Sequence, residues 1–170
     1  NSSSIDEKPV ISNNSESIAF LSNRQGELAL WIDNGDRLFP LKSIESSKRL
    51  DSYLWLADNK RMIIETGDNK LLLVDTEDDE ASPIKTVNDV AVHPSISNDS
   101  RWLYYSSDKN GDWQIWRQLI AKKSIPELIT PKGGYSGKES YDGKELIFTK
   151  YQELGLWKMN FKTKQESLII

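Results

Sequence analysis

The side chain best suited to acid–base or metal chemistry is His93, the only histidine among 170 residues. Histidine changes charge near neutral pH, so it can act as a general base or as a metal ligand. A metal site needs further ligands, but the chain has no cysteine, and no second ligand stands at a suitable spacing from His93. We therefore predict no catalytic residue, no metal site and no cofactor.

An acidic segment from Asp108 to Asp112 contains oxygen ligands at alternate positions, like the start of a calcium-binding loop. Such a loop requires a bidentate glutamate at its twelfth position, where this chain has Leu119. The interpretation that fits better is a hairpin turn in which Gly111 adopts positive φ.

A second acidic segment follows Asp75 and consists of Glu77, Asp78, Asp79 and Glu80. Its carboxylates could attract a divalent cation or a basic partner. Runs of like charge more often form solvated loops, and we predict such a loop between two outer strands, the second of which is predicted at Pro83–Val87. It is retained as a candidate binding loop.

Composition excludes several classes of function. The formal net charge is −4, and the acidic and basic residues are well mixed, which argues against a nucleic-acid surface. No apolar run approaches the roughly 18 residues of a membrane span, and no nucleophile elbow, phosphate loop or dinucleotide fingerprint occurs. The first residue is asparagine rather than methionine, so we interpret the chain as a segment of a longer protein.

A repeat organises the whole chain. Ser12–Trp31 and Ser97–Trp116 share one pattern, which is a Ser-Asn pair, a polar hinge, an apolar run, a turn with glycine, and a strand that ends in tryptophan. Weaker copies occur between and after them, so the chain contains four repeats of about 40–45 residues. The equivalent hinge residues are Asn14, Asp58, Asp99 and Asp142.

Each repeat has the signals of short β-strands, because aromatic and β-branched runs alternate with turns rich in Gly, Asn, Asp and Ser. We predict an all-β fold of β-propeller-type repeats, with four blades of four antiparallel strands. Trp31, Trp116 and Trp157 stand at matching strand ends and are predicted to pack between sheets. The predicted segments are a polar tether at 1–7 and blades at approximately 8–47, 48–88, 89–131 and 132–170.

The segment from Ser97 to Asp108, continued by Gly111 and Ile115-Trp116, resembles the TolB-like (WD-like, PD-type) propeller repeat. Tyr141-Asp142-Gly143-Lys144 is a second good match. The first repeat departs from the pattern because it has Asn14 at the hinge, and the second repeat lacks the Ser-Ser-Asp turn. Propellers usually close more blades than four, so a four-bladed ring, an open arc and a fragment of a larger ring all remain. We favour an incomplete ring or a self-associating arc.

One register near the start of each repeat carries polar side chains, namely Lys8, Ser52, His93 and Ser136. In propellers this end of the inner strand borders the central channel, so these residues are candidate binding residues at the channel rim. We expect a protein or small-molecule ligand at one propeller face.

The resemblance implies a non-catalytic binding or sensor module that is periplasmic or otherwise extracytoplasmic. TolB-like repeats occur in periplasmic scaffold proteins and in the sensory part of ToxR- or CadC-like membrane-anchored transcriptional regulators. The alternatives are such a scaffold or the gating propeller of a prolyl-oligopeptidase-like peptidase. Related lyases use a histidine-rich metal site, and a single histidine weighs against that activity.

Overall fold

A computed structural model describes residues 4–45, 48–122 and 124–170. These residues form sixteen β-strands and no helix, so none of them belongs to a helix able to cross a membrane. The chain divides into two compact units, Asn1–Ile84 and Lys85–Ile170. Each unit contains two antiparallel sheets of four strands, in which every strand pairs with the next one along the chain.

The first unit contains eight strands, which are β1 (Asp6–Ile11), β2 (Ile18–Ser22), β3 (Ala29–Asp33), β4 (Leu38–Pro40), β5 (Leu50–Trp55), β6 (Arg61–Thr66), β7 (Lys70–Asp75) and β8 (Glu80–Pro83). Its core lies between the two sheets, where Leu30, Ile32 and Met62 are almost completely buried. In β6, Met62, Ile63 and Ile64 are all buried, because both sides of this strand are covered.

The second unit contains the other eight strands, which are β9 (Val92–Ile96), β10 (Trp102–Ser107), β11 (Gln114–Leu119), β12 (Glu127–Leu128), β13 (Tyr135–Glu139), β14 (Glu145–Thr149), β15 (Trp157–Asn160) and β16 (Glu166–Leu168). Its core also lies between two sheets and includes Tyr104, Ile115, Phe148 and Met159. A fully buried side chain of this size contributes about 1.5–3 kcal/mol to folding.

The predicted all-β fold with four four-stranded antiparallel blades is confirmed. One boundary differs. β1 begins at Asp6, so the last residues of the predicted 1–7 tether belong to the first sheet, while residues 1–3 lie outside the described residues. The predicted end of the first blade at residue 47 also lies outside them.

The last strand of the second sheet was predicted at 83–87, and this prediction was wrong because β8 is Glu80–Pro83. Asp75 pairs with Glu80 across the connection, so the chain reverses within four residues. The Asp75 side chain makes this reversal possible by accepting hydrogen bonds from the backbone N–H groups of Glu77 and Asp78. The acidic run is therefore a tight turn, and Glu80 is already a strand residue.

The strand-end tryptophans occupy packed positions, as predicted. Trp31 and Trp116 are buried and Trp157 is partly buried. Each indole lies beneath the cation seven residues before it, and the distances from the cation to the ring centroid are 5.0 Å for Arg24, 5.5 Å for Lys109 and 4.0 Å for Lys150. Cation–π contact of this kind adds to the burial of the ring.

The hinge residues form a repeated hydrogen-bond network. In three sheets a serine hydroxyl donates to the hinge side chain two residues later, over 2.7 Å to Asn14, 2.6 Å to Asp99 and 2.8 Å to Asp142. The same hydroxyl accepts a backbone N–H five residues later along the chain. The network closes the turn between the first and second strands, so the similarity among repeats serves the scaffold.

The hinge carboxylates make stability depend on pH. Hydrogen bonds from Ser97 and Ser140 lower the pKa values of Asp99 and Asp142 respectively. Burial would raise the pKa of Asp58, but hydrogen bonds from Arg61 and the backbone N–H of Lys60 outweigh it and lower that pKa. A carboxyl whose pKa is lower in the folded state stabilises the fold above its unfolded pKa, and this contribution is lost as pH falls through the folded pKa.

We expect the urea concentration at the unfolding midpoint to decrease as the pH is lowered from about 5 to about 3, since unfolded aspartates titrate near pH 4. Asp99→Asn should reduce that fall, because the amide cannot be protonated. The matched control is Asp36→Asn, because Asp36 is exposed and makes no hydrogen bond to another described residue. Equal pH profiles for the two variants would contradict a role for the hinge network.

Candidate functional site

The predicted rim register coincides with an irregularity in the first strand of every sheet. Pairing shifts between Glu7 and Val10 in β1, between Leu50 and Ser52 in β5, opposite Tyr105 in β9, and between Tyr135 and Gly137 in β13. Three of the predicted residues have left-handed backbones, with φ of 52° at Lys8, 52° at His93 and 50° at Ser136. Such bulges redirect side chains and cost about 1–3 kcal/mol each for residues other than glycine.

In the first unit the predicted residues are held by neighbouring groups. The Nζ atom of Lys8 donates to the carbonyl of Leu50 at 3.2 Å, which ties β1 to β5. The hydroxyl of Ser52 donates to the Glu65 carboxylate at 2.7 Å. The Tyr53 hydroxyl donates to the Lys8 carbonyl, and burial raises the pKa of Tyr53 to about 12. The contacts of Lys8 with Leu50 and Tyr53 join the two sheets of this unit, whereas the Ser52–Glu65 hydrogen bond lies within one sheet.

In the second unit His93 contacts an aromatic residue of the next sheet. Its Nε2 atom lies 2.8 Å from the Tyr135 hydroxyl, and the two rings meet edge to face with centroids 4.6 Å apart. Ser136, beside Tyr135, donates its backbone N–H to the Ser106 hydroxyl at 3.2 Å. His93 and Ser136 thereby connect the first strands of the two sheets of this unit to neighbouring side chains.

Two further rings, those of Trp113 and Tyr151, extend this contact into a cluster, which we call the aromatic cluster: His93, Trp113, Tyr135 and Tyr151. Tyr135 lies at its centre, with centroid distances of 5.1 Å to Trp113 and 5.4 Å to Tyr151. Trp113 and Tyr151 are 6.0 Å apart with their planes tilted by 42°. Rings this close pack directly on one another, so no ligand can enter between them.

A cleft of about 470 Å³ lies beside the cluster. Trp113 and Tyr151 line it, together with the turn before β11, the connection from β12 to β13, and the turn after β14. Most of its lining is polar. Its size is within the usual range for small-ligand sites. The lining residues are 111–113, 131–134 and 150–153.

The first unit has a pocket of about 240 Å³ that partly overlaps the equivalent place. Leu28 lies 85 residues before Trp113 and lines this pocket as Trp113 lines the cleft. The other lining residues include Leu21, Leu30 and Leu50. The two sites therefore overlap in their location in the repeat but differ in chemistry. The first pocket is lined by aliphatic and charged residues and by no aromatic one, whereas the cleft is polar and aromatic.

The acidic candidates lie in the first unit and are used locally. Asp79 accepts backbone N–H bonds from Lys42 at 2.9 Å and Ser43 at 3.0 Å. Partial burial would raise the pKa of Asp79, but these hydrogen bonds lower it. Glu77 pairs with Lys60 at 2.8 Å. Within the described parts of the chain, no group of three acidic, histidine or cysteine side chains could hold a metal ion.

The Asp108–Asp112 segment is the β10–β11 turn, in which Gly111 has φ of 94° and donates its N–H to the Asp108 carbonyl at 2.8 Å. Sequence reasoning missed Trp113, Tyr135 and Tyr151 as site residues. A signal was available, because Trp113 stands where the best-matching repeat has Leu28.

Comparison with known proteins defines the fold. No family model matches the chain. TolB from Acinetobacter baumannii matches with a TM-score of 0.73 at 18% identity, over 96% of this chain and 43% of TolB. An oligogalacturonate lyase from Vibrio parahaemolyticus matches with a TM-score of 0.76 at 12% identity, over all of this chain and 55% of the lyase. The fold is that of a TolB-like β-propeller.

Two other similarities concern longer proteins. A puromycin-hydrolysing peptidase of Mycobacterium tuberculosis matches with a TM-score of 0.68 at 11% identity, over 95% of this chain and 31% of the peptidase. An uncharacterized protein of Agrobacterium fabrum is 35% identical over 60 residues, which are 34% of this chain and 20% of that protein. The chain thus spans a minor part of that relative and under half of the Acinetobacter TolB.

Proposed function

We propose that this chain is a non-catalytic β-propeller module that binds its ligand at the aromatic cluster and cleft of the second unit. The observation that carries the proposal is a difference between the equivalent residues Lys8 and His93. Both have the left-handed bulge, but among the described residues only His93 combines it with an aromatic cluster beside a polar cleft. A chain that served only as a scaffold would not need aromatic side chains at one of these two positions and not at the other.

The absence of enzymatic activity is part of the proposal. Its support is that the only histidine contacts the Tyr135 hydroxyl, that Asp79 of the β7–β8 turn accepts backbone hydrogen bonds, and that Glu77 of the same turn pairs with Lys60. A general base would need its ring nitrogen within about 3 Å of a substrate proton, whereas Nε2 of His93 lies against the Tyr135 hydroxyl. Mass spectrometry of peptides and glycosides incubated with the chain should therefore show no turnover.

The binding function is tested by probing the purified chain against a random-sequence peptide phage library and a glycan array. We expect saturable binding to one class of probe, weakened about tenfold by His93→Asn, because asparagine tolerates the left-handed backbone but cannot hold Tyr135 through a ring contact. Melting temperature should change little.

The matched control is Lys8→Asn, which makes the same change at the equivalent position of the first unit. Equal loss of binding in both variants, or no saturable binding to either class of probe, would refute the proposed site.

We further propose that the module is the extracytoplasmic sensory part of a larger signalling or regulatory protein. The TolB-like fold supports this context, as does the resemblance of the repeats to those of membrane-anchored regulators. The parent reading frame decides the matter. A DNA-binding winged-helix segment and one membrane helix ahead of the propeller would agree with a regulator, whereas a secretion signal alone would point to a periplasmic scaffold.

The second candidate is the gating propeller of a peptidase, and the similarity to the Mycobacterium peptidase favours it. Catalytic residues would then lie outside this chain. An α/β-hydrolase segment after the propeller in the same reading frame would establish this alternative and replace the sensor.

A further inference from the structure

We infer that the cleft of the second unit binds a saccharide of one or two rings, with a sugar ring stacked on Trp113 or Tyr151. The inference rests on the proposed binding function and names its ligand class. A pyranose ring has apolar C–H faces and a rim of hydroxyl groups, so a matching site needs flat aromatic surfaces beside groups that donate and accept hydrogen bonds.

The aromatic part of this requirement is met by rings already fixed in place. Trp113 and Tyr151 both pack against Tyr135, which itself contacts His93. Their orientations are therefore set before a ligand arrives, and little side-chain entropy is lost on binding. Tyr151 is 62% exposed, so its ring remains accessible from the cleft side.

The polar part is met by Asp112, Lys132 and Gln152, which line the cleft and form no hydrogen bond or ion pair with another described residue. A carboxylate accepts two hydroxyl protons, an ammonium donates, and an amide does both. Together they can satisfy the mixed donors and acceptors of vicinal hydroxyl groups.

Two other ligand classes fit less well. The rings lie 5.1–6.0 Å apart, which leaves no space for an organic cation held among three aromatic faces. An anionic ligand could pair with the Lys132 ammonium group, but it would also meet the carboxylate of Asp112, and Lys150 is already 3.5 Å from both Glu153 and Glu166. An apolar ligand would leave the polar lining without hydrogen bonds.

The test is a titration of the ¹⁵N-labelled chain with cellobiose, maltose and N,N′-diacetylchitobiose, followed by amide chemical shifts. Saturable shifts are expected from at least one sugar at residues 111–113, 131–134 and 150–153. Trp113→Ala should weaken that binding about tenfold, which corresponds to the loss of one aromatic stacking contact.

Three variants keep the result interpretable. Tyr151→Ala removes a largely exposed ring, so it tests stacking even if Trp113→Ala fails to fold. Leu28→Ala makes the equivalent change in the first unit and should leave sugar binding unchanged. Tyr141→Ala removes a fully exposed ring that does not line the cleft, which controls for unspecific stacking.

Two results would overturn the inference: no saturable shift with any of the three sugars, or equal weakening by Tyr141→Ala and Tyr151→Ala. If library peptides bind in a manner that depends on Tyr151 while sugars do not, the saccharide is wrong and the proposed function stands. If the binding of neither sugars nor peptides depends on Tyr151 or His93, both the saccharide ligand and the proposed binding function are wrong.

Discussion

Gly137→Ala is expected to destabilise the second unit by about 1–3 kcal/mol, the usual effect of overpacking a dense core. A β-carbon on Gly137 would lie 2.5 Å from Cδ1 of Ile115 and 3.3 Å from a methyl group of Leu146. The backbone cannot easily withdraw, because the Gly137 carbonyl accepts a 2.6 Å hydrogen bond from Ser95 in the neighbouring sheet. Urea unfolding monitored by circular dichroism would measure the loss.

The companion variant is Ile115→Val, which deletes the Cδ1 atom that the new methyl group would strike. Alone it should cost about 1 kcal/mol by leaving a small cavity. The double variant should be about as stable as Ile115→Val alone, since the alanine methyl group then fills that space. If the two losses simply add, the close approach of these sheets is not what requires glycine at 137.

Glu166→Ala is expected to cost about 2–3 kcal/mol, because it leaves the buried ammonium group of Lys150 with one carboxylate fewer. The side chains of Lys150 and Glu166 are each only 8% exposed and lie 3.5 Å apart. Glu153 remains as a partner at 3.5 Å, which keeps the loss below that of a fully orphaned charge. Thermal and urea unfolding both report it.

Lys150→Met should behave in the opposite way, with little loss or a gain, because replacing a buried charge by an apolar side chain of similar size removes its desolvation cost. Methionine can also keep a contact with the Trp157 ring, on which Lys150 now lies at 4.0 Å. Combining Lys150→Met with Glu166→Ala should restore most of the stability. A double variant as unstable as Glu166→Ala would show that Glu166 acts through some other contact.

Much of the fold is predictable from the sequence, because repeated hinges and alternating apolar runs report local geometry. The strand around Tyr104 and Tyr105 is an example, since aromatic residues bounded by turns fit one extended segment. The misplaced β8 shows where local patterns fail. Its turn is made by Asp75 accepting backbone N–H bonds, and four successive acidic residues suggest a solvated loop instead.

The candidate site was predictable only in part. The register of Lys8, Ser52, His93 and Ser136 follows from the repeat, and the structure places strand irregularities at or beside each of these residues. The aromatic cluster joins residues from 93 to 151, which meet only when neighbouring sheets pack, so no local pattern reveals it. Ring closure and self-association of an arc stay predictions.

The left-handed bulge also bears on how this chain arose. Lys8-Pro9 and His93-Pro94 stand 85 residues apart and have the same φ of 52°, a conformation that disfavours side chains other than glycine. Duplication of an ancestral pair of blades would copy such a backbone together with the contacts that support it. The strained backbone would then have been retained in both copies while the side chain on it changed. In one copy a lysine donates a hydrogen bond to a carbonyl, and in the other a histidine contacts the aromatic cluster.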